Sequence, residues 1–350
     1  MNPLGLLRRA TRRLRARVEG RALVLMYHRV AEPASDPWGL AVSPRHFAEH
    51  LDVLRRHARV VGFGTLGEAV RAGRAPRRAV AVTFDDGYAD NLFGARPLLE
   101  RAGTPATVFF TTGSVGSTRE FWWDELDRLL LQPNTLPSTL PATLSGTPHA
   151  SANEPDTPYV LGDAARYTDD QALRHRAWRA WEAAPTARHA AYYALWKGLY
   201  PLPEAARQDA LAALRAWAGA PPAARDTHRA VTPAEAVALA DGRLIEGGAH
   251  TVTHVPLSEH APAVQRAEIV RSKATLEALL GRPVTTFAYP HGAHDAGTVA
   301  LTREAGFRAA CTTTPAPVTR RSDALALPRF AVADEDGEAF ARRLHAWWAA

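Results

Sequence analysis

The residues best able to do chemistry sit at the ends of apolar runs. Thr83-Phe84-Asp85-Asp86-Gly87 follows Ala79-Val80-Ala81-Val82, which reads as a buried strand. Gly87 marks a sharp turn. Two adjacent carboxylates at a strand end are costly to bury without partners. Successive side chains on a strand point to opposite sides, so Asp85 and Asp86 are expected to do different jobs. A metal or a shuttled proton would account for the pair, whereas a lone Asp-Asp-Gly would read as an acidic turn. Two further stretches change that weighing: His250-Thr251-Val252-Thr253-His254 and Phe287-Ala288-Tyr289-Pro290-His291-Gly292. Both also follow strand-like runs. Two histidines four apart plus a carboxylate, here His250, His254 and Asp86, make a three-ligand site with open positions. Imidazole-rich ligation suits zinc, cobalt or nickel and does not choose among them.

The surrounding elements alternate. Ala22–Tyr27 reads as a strand ending at His28-Arg29. Ser43 caps a helix carrying Phe47, Leu51 and Leu54 on one face. Val60-Val61, Ala106–Phe110, Leu244–Ala249, Thr285–Ala288, Phe307–Thr312 and Ala326–Phe330 read as strands. Asp90–Ala102, about 259–280 and Asp295–Ala305 read as helices between them. Strand–helix alternation means a parallel sheet, and over this length a distorted α/β barrel of about seven parallel strands with a large helical insertion. In such a barrel the site lies at the carboxyl ends of the strands. His28, Asp85, Asp86, His250, His291 and Arg329 all fall there.

Together these stretches resemble the polysaccharide deacetylase family, the NodB-homology domain of carbohydrate esterase family 4. Its Thr-Phe-Asp-Asp-Gly motif is matched in full at 83–87. Its His-(Ser/Thr)-x-x-His motif is matched at 250–254. Its third motif, Arg-Pro-Pro-Tyr-Gly, stands here as Ala288-Tyr289-Pro290-His291-Gly292. The resemblance spans roughly residues 22–120 and 244–332. It implies an N-deacetylase in which Asp86, His250 and His254 hold a divalent metal, with Asp85 as general base toward the attacking water. It also implies an oxyanion site built from the third motif, at Tyr289, Pro290 and His291. The usual C-terminal acid histidine is missing. His28 instead resembles the acid of the circularly permuted branch, where that histidine comes first in the chain. Ala288 replaces the arginine that pairs with the catalytic aspartate, and Arg329 is the candidate substitute.

The whole chain bounds this reading. At 350 residues it can bury one barrel-sized core or two smaller ones. Its one cysteine, Cys311, excludes an intrachain disulfide. Net charge is +6, but the basic residues are nearly all arginine in an alanine-rich chain, and no aromatic-plus-basic motif accompanies them. Nucleic acid is therefore not the expected partner. Residues 1–21 form a basic amphipathic helix by spacing, with Leu7, Ala10, Leu14 and Val18 on one side. It suits either packing on the domain or contact with an anionic membrane surface. No secretory apolar core precedes it. The expected location is cytoplasmic, at or near the inner face of the membrane. The expected division is that N-terminal helix, a barrel at 22–120 and 244–332, an insertion at 121–243 with a Pro/Thr/Ser-rich loop, and a helix at 333–350. Trp178, Trp181, Tyr192, Trp196 and Trp217 fall mostly at helical spacing, as a core for the insertion. The expected substrate is an N-acetylhexosamine unit of a bacterial polysaccharide, or a glycolipid precursor. An O-acetyl esterase or deformylase on the same scaffold, and a catalytically silent glycan-binding module, are the competing readings.

Overall fold

A computed structural model describes residues 20–141, 158–221, 224–241 and 243–350. Most of the basic N-terminal segment, and 142–157 of the Pro/Thr/Ser-rich stretch, lie outside them. The chain divides into two compact units. One holds the residues up to Glu32, Ala41–Val115 and Val231–Ala350; the other holds Pro33–Leu40 and Gly116–Ala230.

The first unit is a curled parallel sheet. Its strands are β1 (Leu23–Tyr27), β2 (Ala79–Phe84), β3 (Ala106–Phe110), β4 (Ile245–Ala249), β5 (Thr286–Ala288), β6 (Ala309–Cys311) and β7 (Phe330–Ala331). Their order is β6-β5-β4-β3-β2-β1-β7. A short strand, Arg59–Val60, also pairs with β2. Among the described residues every pairing in this sheet is parallel. The two edges are joined through one segment. Leu327 N–H donates to Ala310 O at 2.8 Å, and Val332 N–H to Met26 O at 3.1 Å. The result is a distorted (β/α) barrel.

Side-chain alternation divides the apolar strands between two layers. Leu23, Leu25 and Tyr27 of β1 pack outward with Phe47, Leu51 and Leu54 of the helix Pro44–His57. Ala22 and Val24 pack inward with Ala79, Ala81, Phe109, Ala288, Ala309 and Cys311. The inner layer is small-residue-rich, which lets the sheet curl tightly. Strands covered on both faces read as continuous apolar runs, and β1, β2 and β3 are buried throughout.

Two elements differ from the spacing. The run expected to be helical from Asp90 begins as a π-helical turn, Asn91–Ala95, and becomes an α-helix only at Arg96–Ala102. Pro97 cannot donate to the carbonyl four residues back and crowds it, so the preceding turn widens. The last strand is Phe330–Ala331 rather than Ala326–Phe330. Pro328 has no N–H, and Leu327 makes a single bridge to Cys311.

The second unit is mainly helical: Trp122–Leu130, Asp169–His175, Ala187–Leu199 and Glu204–Ala218. Trp122, Trp123, Trp178 and Tyr192 are buried, while Trp181 is 65% exposed. Arg225 bridges Glu120 and Asp127 within it, at 3.0 and 2.9 Å. The helix Pro233–Leu239, started by a Thr232/Glu235 capping box, belongs to the first unit. Its Ala236 and Leu239 join the outer layer of the barrel core.

One buried histidine in the first unit has a consequence for stability. His50 is fully buried, and its Nε2–H donates to Glu335 O at 2.7 Å. Its Nδ1 therefore accepts from the Tyr27 hydroxyl at 3.3 Å. Burial lowers its pKa to about 4. Below the ordinary value near 6.5 the unfolded chain binds this proton and the folded chain does not, so stability is lost as pH falls from about 6.5 to 4. Urea denaturation should show the gap between wild type and His50→Gln narrowing by up to about 3 kcal/mol between pH 7 and pH 4. A gap independent of pH would mean that His50 titrates as it does in the unfolded chain.

Candidate active site

The site is built from the carboxyl ends of the strands. Asp85 follows β2, and its N–H donates to Tyr27 O at 3.0 Å. Its two oxygens accept from Nη1 and Nη2 of Arg329, each at 2.7 Å. Arg329 is fully buried. Its Nε–H donates to Thr312 O at 2.8 Å, and Nη1 also reaches Thr83 Oγ1 at 3.2 Å. Burial would push the Asp85 carboxyl up, but the charge and hydrogen bonds of Arg329, helped by His250 and His28, outweigh it. They hold Asp85 well below the usual carboxylate range. Asp85 is thus ionised and fixed in orientation.

Asp86 turns the other way. It adopts φ 73°, a left-handed conformation unusual for a non-glycine residue. Gly87 follows at φ 82°, where a Cβ would meet the Phe110 ring at 2.7 Å. This turn brings Asp86 Oδ1 to 3.3 Å from His254 Nε2 and 3.6 Å from His250 Nε2. All three residues are buried. Their donor set fits a divalent metal on an independent ground. His250 Nδ1 lies 2.8 Å from the Ala288 carbonyl, which can only accept, so Nδ1 carries the proton. Nε2 therefore aims a lone pair at the triad, and burial lowers the His250 pKa to about 4, keeping the ring neutral. Asp86 Oδ1 is itself buried with no hydrogen bond among the described residues. Facing acceptors in a buried cluster repel unless a cation lies between them, and the Ala288 contact is the orienting bond that metal-ligating histidines commonly have.

The loop carrying the histidines is pinned by a residue with no motif signal. Glu268 accepts from Val252 N–H at 2.7 Å, Thr253 N–H at 2.9 Å and Thr253 Oγ1 at 2.8 Å. Thr251 Oγ1 accepts from His254 N–H at 3.0 Å. The Glu268 contacts could not be found from spacing, because they depend on where the helix Pro262–Leu280 lies, whereas the Thr251 contact is local to the motif.

His28 directly follows β1, half-buried. Burial lowers its pKa against the opposing charges of Asp86 and Asp85, and Arg329 and His250 also act on it. It is therefore a member of the same electrostatic cluster. His291 packs edge-on to His254, with ring centroids 4.6 Å apart. Pro290, next to it in the chain, is buried. Tyr289 departs from the expectation that it serves the oxyanion or substrate. Its hydroxyl donates to Leu325 O at 2.9 Å and its N–H to Cys311 O at 3.1 Å. Both donors are committed to the barrel wall, because the residue continues the pairing of β5 with β6.

A buried Asp-His-His cluster beside an arginine-clamped aspartate, on the rim of a curled parallel barrel, defines a NodB-like domain. The family model for polysaccharide deacetylase matches residues 72–137 and 216–310. A Bacillus subtilis (strain 168) protein named as a polysaccharide deacetylase, YxkH, is 33% identical over 99 residues, 27% of this chain and 33% of YxkH. The chain thus aligns with about a third of that curated relative. The fold is shared with the Streptococcus pyogenes deacetylase PplD, in complex with acetate. That likeness has a TM-score of 0.55 and 16% identity, covering 93% of this chain and 99% of PplD. IcaB from Ammonifex degensii has a TM-score of 0.55 and 18% identity, with coverage of 95% and 98%. Residues 72–137 and 216–310 thus carry a polysaccharide deacetylase domain.

Two outcomes follow from the geometry. Arg329→Ala leaves the Asp85 charge buried without its partner and should cost about 3–5 kcal/mol in denaturation experiments. Asp85→Asn in that background should recover part of the loss; strict additivity of the two changes would mean that the pair is not coupled. In zinc calorimetry, wild type should bind one ion, and Asp86→Ala or His254→Ala should weaken binding at least about 100-fold. Unchanged affinity in both variants would remove the cluster as the metal site.

Proposed function

We propose that the protein is a metal-dependent deacetylase that hydrolyses the acetamide of N-acetylhexosamine units in a bacterial polysaccharide or its lipid-linked precursor. The observation that carries this reading is the juxtaposition of two differently treated aspartates. Asp86 faces two imidazole nitrogens, while Asp85 is held ionised by Arg329. A divalent ion held by Asp86, His250 and His254, with zinc, cobalt or nickel all suited to the ligand set, supplies Lewis acidity toward water and the carbonyl oxygen.

The chain's own residues do the rest. Asp85, ionised and acceptor-only, takes a proton from the attacking water. Arg329 holds its carboxylate in one orientation throughout. His28, in its imidazolium form, donates a proton to the amine nitrogen as the C–N bond breaks, giving acetate and a free amine, and the proton that Asp85 took from water restores that form. His291 borders the histidine pair and would help seat the acetyl group. No helix among the described residues is long and apolar enough to cross a membrane. The basic amphipathic segment at 1–21 supports a peripheral station on an anionic cytoplasmic face, where a lipid-linked glycan would be met.

The test is metal content together with acetate release from N-acetylglucosamine oligomers. Wild type should release acetate, and Asp85→Asn should retain its metal and lose at least about 100-fold in rate. Acetate from O-acetylated but not N-acetylated sugars would convert the reading to an esterase on the same site. Equal rates for wild type and Asp85→Asn would remove Asp85 as the base.

A further inference from the structure

The backbone leaving His28 is tied to the residues that follow the Asp85-Asp86 turn. Asn91 is buried, and its Nδ2 donates to the carbonyl of His28 at 2.8 Å. Asp90 accepts from the N–H of Val30 at 3.1 Å and, through its other oxygen, from Arg29 Nε at 2.9 Å. Nδ2 also contacts Asp90 Oδ1 at 3.3 Å, which fixes the orientation of the Asn91 amide. The Arg29 guanidinium lies over the Tyr88 ring at 4.7 Å. The π-helical turn makes this approach possible. A Cβ at Gly94 would come within 2.5 Å of Val30 O, so a side chain there would push the loop away.

These contacts have an unusual distribution for simple packing. Arg29 and Asp90 form a partner-satisfied ion pair, 4% and 16% exposed. Yet the hydrogen bonds to main chain fall at and just after one imidazole-bearing residue, on His28 O and Val30 N–H. Nothing in the resemblance or the three motifs assigns Asp90 or Asn91 a part.

We propose that Asn91 and Asp90 are positioning residues for His28, fixing its backbone relative to Asp85 so that the imidazole stands where the leaving nitrogen departs. This rests on the reading of His28 as the proton donor. A displacement of about 1 Å in such a group costs on the order of 100-fold in rate. The cost falls only on reactions that need the acid. An acetamide expels a strongly basic amine and requires protonation, whereas a 4-nitrophenyl ester expels a stable anion and does not.

The experiment compares acetate release from N-acetylglucosamine oligomers with hydrolysis of 4-nitrophenyl acetate, using the zinc-loaded full chain. Variants are Asn91→Ala, Asn91→Ser and Asp90→Asn, with His28→Ala as the reference. Thermal melting and bound zinc are measured alongside. The expected result is a drop of about 10–100-fold in the amide-to-ester rate ratio for Asn91→Ala. His28→Ala should show the same sign, and Asn91→Ser, which keeps a shorter donor, partial recovery. If Asn91→Ala does not fold, Asp90→Asn carries the test, because it keeps an acceptor for Val30 N–H and loses the charge and the acceptor facing Arg29 Nε–H. An unchanged ratio in folded, metal-loaded variants overturns the proposal while leaving the acid assignment standing if His28→Ala still lowers it. Equal loss on both substrates makes the network structural only. Ester hydrolysis without amide hydrolysis by wild type overturns the N-deacetylase reading itself, and the positioning role with it.

Discussion

The bidentate pair between Asp85 and Arg329 is the constraint on which the rest of the site depends. Arg329 enters from the segment that joins the two edges of the curled sheet, and Asp85 from the end of β2. A buried arginine and a buried carboxylate are each costly without the other. Here the guanidinium is nearly saturated, by two carboxylate oxygens, the Thr312 carbonyl and the Thr83 hydroxyl. The same bonds that lower the Asp85 pKa also tie the closing segment of the barrel to the end of β2. Charge state and ring closure are one structural fact.

Strain is concentrated where the chemistry would be. Five non-glycine residues have positive φ among the described residues: Arg78, Asp86, Thr251, His254 and His291. Four of them belong to the three motifs. Each such conformation costs about 1–3 kcal/mol and persists only where surrounding contacts over-determine it. Those contacts are visible. The Ala288 carbonyl holds His250, Glu268 holds the backbone before His254, and Gly87 closes the turn after Asp86 where a Cβ would meet Phe110. The barrel's buried strands supply the stability that permits these distortions.

Much of this was legible in the sequence, and the boundary of legibility has a physical basis. The apolar runs at Ala79–Val82 and Ala106–Phe110 announced parallel strands, because strands covered on both faces need no polar alternation. The spacing of His250 and His254 and the Asp85-Asp86 pair announced the cluster. Contacts made at long range by ordinary residue types were not legible. Glu268 lies in a helix with nothing to distinguish it from a solvated acid. Asn91 and Asp90 read as the start of a regular helix until Pro97 is seen to widen the turn. Tyr289 lay within a motif yet spends both of its donors on the barrel wall, because motif membership does not say which way a residue at a strand end faces. Trp181 followed the aromatic spacing of its neighbours but projects outward at 65% exposure.

The order of the site residues around the rim explains why their order along the chain is free to vary. Parallel register pairs Tyr27 with Phe84, so the next residues, His28 and Asp85, leave adjacent strands side by side. Neighbouring strands lie about 4.8 Å apart. On the other flank of β1 stands β7, whose approach carries Arg329. Two strands beyond β2 in the opposite direction is β4, which delivers His250, and β5 beyond it delivers His291. The rim therefore reads Arg329, His28, Asp85 with Asp86, His250, His291. That spatial sequence runs from the arginine paired with Asp85, through the candidate acid and base with the candidate ligand Asp86 beside them, to the candidate ligand His250 and the substrate-side His291. Only adjacency in the sheet is needed to produce it. A first-strand histidine meets the same requirement as one from the last strand of a ring, because hydrogen-bond register, not chain order, sets which side chains share the pocket.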